Sequence, residues 1–212
     1  MKFYIYPTAI LLFFLVSCGE TEKKTEKKTE EKAEAISLDR NIAEKGFLEA
    51  TLPFVVLNSY IEIVEKAEIS PEAISDSIFL FFNPDLNILS GDNYYHENVK
   101  FAETSDEIQK ELIGNLLLEN TKEFPAIIDS LEYDKRFTHL KGMSKEELTE
   151  NKDKFASLAY FRISPLSFTK DNTLGIYFLT INFAGHNRGY LVFGEYTEEG
   201  WKIGDLKMVV EG

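Results

Sequence analysis

The run Leu174-Gly175-Ile176-Tyr177-Phe178-Leu179-Thr180-Ile181-Asn182-Phe183 reads as a strand, because β-branched and aromatic side chains fill it. Three further runs of the same character surround it, at residues 161–168, 190–196 and 201–210. Between them lie Thr169-Lys170-Asp171-Asn172-Thr173, Ala184-Gly185-His186-Asn187-Arg188-Gly189 and Thr197-Glu198-Glu199-Gly200, all short and rich in turn residues. Short strands joined by short turns predict an antiparallel meander of about four strands. Pro165 gives the first strand an edge position or a bulge.

Upstream of residue 159 the pattern is helical. In residues 36–68 Phe54, Leu57, Ile61 and Val64 recur at helical spacing, and Pro53 suits a first helical turn. Ser70 as N-cap with Pro71 behind it starts a second helix. Ile78-Phe79-Leu80-Phe81-Phe82 either closes that helix or forms a buried strand, and periodicity leaves both open. Asn83-Pro84 ends it, and residues 83–98, rich in Asn, Asp and Gly, read as a long loop. Thr104-Ser105-Asp106-Glu107 has capping-box form, with Ile108, Leu112, Ile113, Leu116 and Leu117 on one helical face behind it. Phe124-Pro125 opens a stretch holding Ile127, Ile128 and Leu131. Ser144-Lys145-Glu146-Glu147 is a second capping box, heading a helix through about Leu158. The expected body is a single α+β domain over residues 36–212, helical over 36–158 and β-rich over 159–212, with the helices covering one face of the sheet.

The chain has 212 residues, 44% of them hydrophobic and 13% aromatic, which excludes a disordered or collagen-like polymer. Six of the 36 acids and six of the 23 bases fall within residues 1–35, so the body keeps the whole formal charge of −13. A body that negative repels phosphate backbones, and nucleic-acid binding is excluded as a function.

The N-terminus carries the most specific signal. Met1-Lys2 gives a positive start, and Tyr4 to Val16 is almost wholly apolar. That core is too short to cross a bilayer, which takes about 20 residues, but it suits a secretory signal. It ends in Leu15-Val16-Ser17-Cys18. This tetrapeptide resembles the bacterial lipobox, in which a small residue precedes an obligatory cysteine. The resemblance implies that residues 1–17 are a signal peptide removed on export. It implies also that Cys18 receives a diacylglyceryl group and the new amino terminus an acyl chain. Two or more chains make attachment to the membrane stable where one is marginal. The expected location is the bacterial cell envelope, on the outer membrane facing the periplasm or the surface. Cys18 is the one cysteine, so lipidation leaves no disulfide, thiol nucleophile or thiolate metal site, and packing alone must hold the body together.

Residues 18–35 then form a tether. Thr21-Glu22-Lys23-Lys24 repeats at Thr25 and, with one change, at Thr29. A four-residue period stacks Glu22, Glu26 and Glu30, and such like-charge pairs destabilise a helix. As a coil this segment averages about 20–25 Å, enough to hold the body just off the membrane. Farther on, Ser164, Phe168, Asp171-Asn172-Thr173, an apolar strand, a Gly-containing loop and Glu198-Glu199-Gly200-Trp201-Lys202-Ile203 resemble the C-terminal half of uncharacterised lipoproteins of Bacteroidota. That resemblance, over about the last 50 residues, implies an envelope location and no activity. The terminal Gly-Trp-Lys-Ile strand is also similar to cone-shaped nuclear-transport-factor-like domains, a likeness that assigns no site.

Candidate chemistry is sparse. No two of His96, His139 and His186 lie within five residues, so no local metal motif exists and no metal is expected. His96 and His139 read as surface or loop residues. His186, Asn187 and Arg188 share a hairpin loop between two glycines and form the candidate ligand-binding set, Arg188 being able to grip a carboxylate or phosphate with two bonds. A polar hairpin tip serving turn geometry is the competing reading, and the stronger one. Asn83-x-Asp85-x-Asn87 resembles the start of an EF-hand, but Ile88 and Tyr94 stand where glycine and glutamate are required. Asp129, Glu132 and Asp134 cluster near Arg136, and Glu195 and Asp205 fall on strands, all as solvated acids. Neither a serine-hydrolase motif nor a glycine-rich phosphate loop occurs, and no cofactor is expected. Two functions follow. The first is a non-catalytic envelope module binding a small ligand or partner protein beside the sheet. The second is an envelope hydrolase using carboxylates or His186, which requires those groups to meet in one deep pocket.

Overall fold

A computed structural model describes residues 36–66, 78–119, 125–155 and 157–212. The signal segment, Cys18, the tether and the Ser70-Pro71 helix start lie outside the described residues.

The first helix, α1, runs from Arg40 to Lys66. Pro53 sits in its interior rather than in a first turn. The missing N–H removes one bond to the Glu49 carbonyl and costs the helix about 3 kcal/mol. Burial of Phe47, Leu48, Leu52, Val55, Val56 and Ile63, all with no exposed area, outweighs that cost. The buried stripe is rotated from the one the apolar spacing suggests, and Phe54 is 53% exposed.

Ile78-Phe79-Leu80-Phe81-Phe82 forms a strand, β1 (Ile78–Asn83). It pairs in parallel with β2 (Phe137–His139) on one side and β3 (Leu158–Ile163) on the other. A run that is apolar on both faces suits a parallel interior strand. Four strands complete the sheet: β4 (Ser167–Phe168), β5 (Leu174–Phe183), β6 (His186–Thr197) and β7 (Gly200–Glu211). The order is β2-β1-β3-β5-β6-β7, with β4 paired to β5. An antiparallel meander is therefore present from β3 onward, but it belongs to a seven-stranded mixed sheet within an α+β fold. Pro165 interrupts the first run between β3 and β4, and β3 is interior, not an edge.

Three α-helices follow β1 among the described residues. Residues 83–98 are not all loop, because α2 (Asn93–Lys100) begins at an Asp92 cap that accepts from the Tyr94 N–H. In α3 (Glu107–Leu118) the cap is Asp106, not Thr104. The Asp106 carboxylate accepts from the N–H groups of Ile108 and Gln109, while Thr104 donates to the Gln109 side chain at 2.7 Å. Leu112, Ile113 and Leu116 are buried as expected, but Ile108 is largely exposed. The Ser144 capping box is formed on both sides. Its helix, α4, covers only Lys145–Glu150, and Leu158 opens β3 instead.

The sheet divides two apolar clusters. On one face α1 packs over Tyr177, Leu179, Ile181, Tyr190 and Val192. On the other α2 and α3 pack over Ile176, Phe178, Leu191 and Phe193. Strand alternation supplies both clusters from the same strands. Gly175 and Gly194 face each other across β5 and β6, and the Phe47 ring lies in the notch they leave. Trp201 stacks on Phe47 with ring centroids 4.9 Å apart, and Ile203 packs into the same cluster.

Candidate polar cleft

The second face of the sheet is not apolar throughout. On β5 the residues facing α2 and α3 are Ile176 and Phe178, and the next two on that face are Thr180 and Asn182. Pairing brings Thr180 beside Arg162 and Asn182 beside both Tyr160 and Asn187, while Asn83 of β1 pairs with Arg162. Six adjacent strand positions thus turn polar side chains toward the region that the two helices leave uncovered. Tyr95 of α2, Asp85 of the turn after β1 and Lys145 at the start of α4 wall it in. The result is a cleft of about 520 Å³.

Its polar groups are partly fixed. Asn187 donates its side-chain N–H to the Tyr95 hydroxyl at 2.9 Å. Asn83 accepts from the Asp85 N–H at 3.1 Å, and Asp85 accepts from the Asn87 N–H at 2.9 Å. The Asn-x-Asp-x-Asn spacing thus forms two consecutive Asx turns. The Tyr160 phenol is bonded to Asn83, and burial raises its pKa against the opposing effect of Arg162. It stays neutral and able to donate at physiological pH. Arg162 differs from these. Its Nε is buried with no hydrogen-bond partner, and the guanidinium lies 5.9 Å from the Tyr95 ring centre. No carboxylate among the described residues forms an ion pair with it.

The three predicted ligand residues separate. The turn between β5 and β6 is only Ala184-Gly185, both with positive φ (52° and 84°), so His186, Asn187 and Arg188 belong to strand β6 and not to a loop. Alternation sends Asn187 into the cleft and the other two toward the α1 face. There Arg188 is 5% exposed, pairs with Glu211 at 3.0 Å and donates to the carbonyls of Asn187 and Gly212. Beside it the Tyr190 hydroxyl donates to Glu62 at 2.6 Å. Burial acts to raise the Glu62 pKa, but the bonds from Lys66 and Tyr190 outweigh it and hold the carboxyl below its ordinary range.

The other candidates are structural. The His139 side chain is buried, contrary to the surface reading, with edge-on contacts to Phe82 and Tyr133 and its Nε2 3.5 Å from Asp129. Burial lowers its pKa, against the opposing pull of Asp129. Asp134 bonds to the backbone and side chain of Arg136, which holds its carboxyl below the ordinary value. Glu195 pairs with Lys202 and Asp205 with Lys207. Among the described residues no three His, Cys, Asp or Glu side chains converge in a group able to hold a metal ion.

Sequence reasoning missed Tyr95, Lys145, Tyr160, Arg162, Thr180 and Asn182. The one signal available was polar residues at alternate positions within otherwise apolar strands, as in Thr180-Ile181-Asn182 and Tyr160-Phe161-Arg162. No protein-family model, curated protein sequence or solved structure matches this chain.

Proposed function

We propose that this chain is a lipid-anchored protein of the bacterial cell envelope, and that its body is a non-catalytic binding module with the polar cleft as the ligand seat. The observation that carries this reading is Arg162, a strand-borne guanidinium that lines a cleft of amides and phenols with no carboxylate paired to it among the described residues. The fixed Asn187–Tyr95 and Asn83–Tyr160 contacts favour a preformed seat, which lowers the ordering cost of binding. The hydrolase alternative needs His186 or two carboxylates in one pocket. Among the described residues Asp85 is the single acid lining the cleft, and His186 faces the other side of the sheet, so the geometry favours binding. Anchoring rests on the lipobox resemblance at Cys18 alone.

Two measurements test the reading. Thermal unfolding with and without a small-molecule extract of the envelope should show the parent stabilised, by about 2.7 kcal/mol for a ligand at 100 times its Kd. Asn182→Trp, which fills the cleft from an exposed position, should abolish that shift. Equal shifts in both proteins would remove the cleft as the seat. Cys18→Ala should leave a precursor that no longer partitions with membranes, and unchanged membrane fractionation would refute the anchor.

A further inference from the structure

We infer that the cleft is built for a ligand bearing a carboxylate, gripped by Arg162 and steadied by Lys145, with the Asn182 and Asn187 amides and the Tyr160 phenol turned toward hydroxyl or amide groups beside it. The inference rests on the binding-module reading and adds the chemical class.

Charge is the first argument. The body is strongly acidic, yet among the described residues the cleft lining holds two cations, Arg162 and Lys145, and one acid, Asp85. In a body of net charge −13, the described lining of this cleft thus carries a surplus of one positive charge. That surplus matches a single negative charge better than a doubly charged phosphate or sulfate.

The contrast between the two strand arginines is the second. Arg188 on the opposite face is answered by Glu211 and by two carbonyl oxygens. Arg162 is answered by no such group among the described residues, only by the Tyr95 ring at 5.9 Å and the neighbouring Tyr160 phenol. Asp85, the acid that lines the same cleft, turns its carboxylate to the Asn87 N–H instead. A planar guanidinium fork held on a rigid interior strand matches a planar carboxylate through two parallel bonds.

The flanking groups are the third. The Asn187 amide bonds Tyr95 through its nitrogen, which leaves its oxygen as an acceptor, and the Asn182 amide is exposed. An acidic saccharide and a peptide-type carboxylate share this chemistry, and the experiment separates them.

Ligand-observed NMR titrations on the full lipidated chain in detergent micelles would use D-glucuronate, D-glucose, N-acetylglycinate and inorganic phosphate as probes. At least one of the two carboxylates should bind, with glucose and phosphate each at least about tenfold weaker. Glucuronate alone marks an acidic sugar; N-acetylglycinate of equal or greater affinity marks a peptide-type ligand. Arg162→Gln should weaken the bound carboxylate by about 10- to 100-fold at an unchanged melting temperature, and Arg162→Lys should recover part of that loss. Glucose or phosphate binding as well as the carboxylates, no carboxylate binding, or Arg162→Gln without effect would each overturn the inference. Glucose binding that Asn182→Trp abolishes would do so while leaving the cleft-binding reading intact.

Discussion

A methyl group added at Gly194 would stand 2.2 Å from Cε2 and 2.7 Å from Cδ2 of Phe47. Carbon atoms in contact prefer about 3.5–4.0 Å, so the ring would have to retreat by more than about 1 Å. It has nowhere to go. Phe168, Tyr177 and Trp201 surround it at centroid distances of 5.8, 5.3 and 4.9 Å, and Phe47 itself has no exposed area. Overpacking of this kind costs about 1–3 kcal/mol, and the lower unfolded-state entropy of alanine returns about 0.4–1. Gly194→Ala is therefore expected to lose about 1–2 kcal/mol, or about 2–8 °C in melting temperature for a domain of this size. Urea unfolding of residues 36–212, followed through Trp201 emission, measures it. Gly114→Ala in α3, where no atom lies within 4 Å of the new methyl, is the control and should be neutral or stabilising by up to about 1 kcal/mol. Trimming the ring should relieve the clash, so Gly194→Ala with Phe47→Leu should be more stable than the sum of the single losses predicts. Gly194→Ala within about 0.5 kcal/mol of the parent, or strict additivity in the double variant, would refute the notch.

Trp201 is expected to emit at a blue-shifted wavelength with weak quenching, because it stacks on Phe47 and covers Gly46. Its truncation to alanine should cost about 3 kcal/mol; red, freely quenched emission would point instead to an exposed binding residue. Burial holds the His139 pKa below its ordinary 6.5, so the unfolded chain takes up the proton first as pH falls. Stability should therefore be full above pH 6.5 and decline below it, until the folded pKa is also passed. His139→Phe should remove that component from the difference between denaturation curves at pH 7.5 and about 5.5, and identical pH slopes in both proteins would refute it.

What the sequence determined by itself is local in origin. The strand character of Leu174 to Phe183 and the Ser144 box follow from residue types within a few positions, and so does the α+β class. Periodicity did not decide what lies between. Ile78 to Phe82 is apolar at every position, and only pairing with β2 and β3 makes it a strand. Pro53 argues for a helix start, yet the apolar face of α1 carries the helix through it because packing against the sheet outweighs one lost bond. The cleft is the clearest case. Asn83, Arg162, Asn182 and Asn187 come from four strands, and only register and alternation set them on one face. His186 and Arg188 flank Asn187 in the chain, and the same alternation sends them to the opposite side of the sheet.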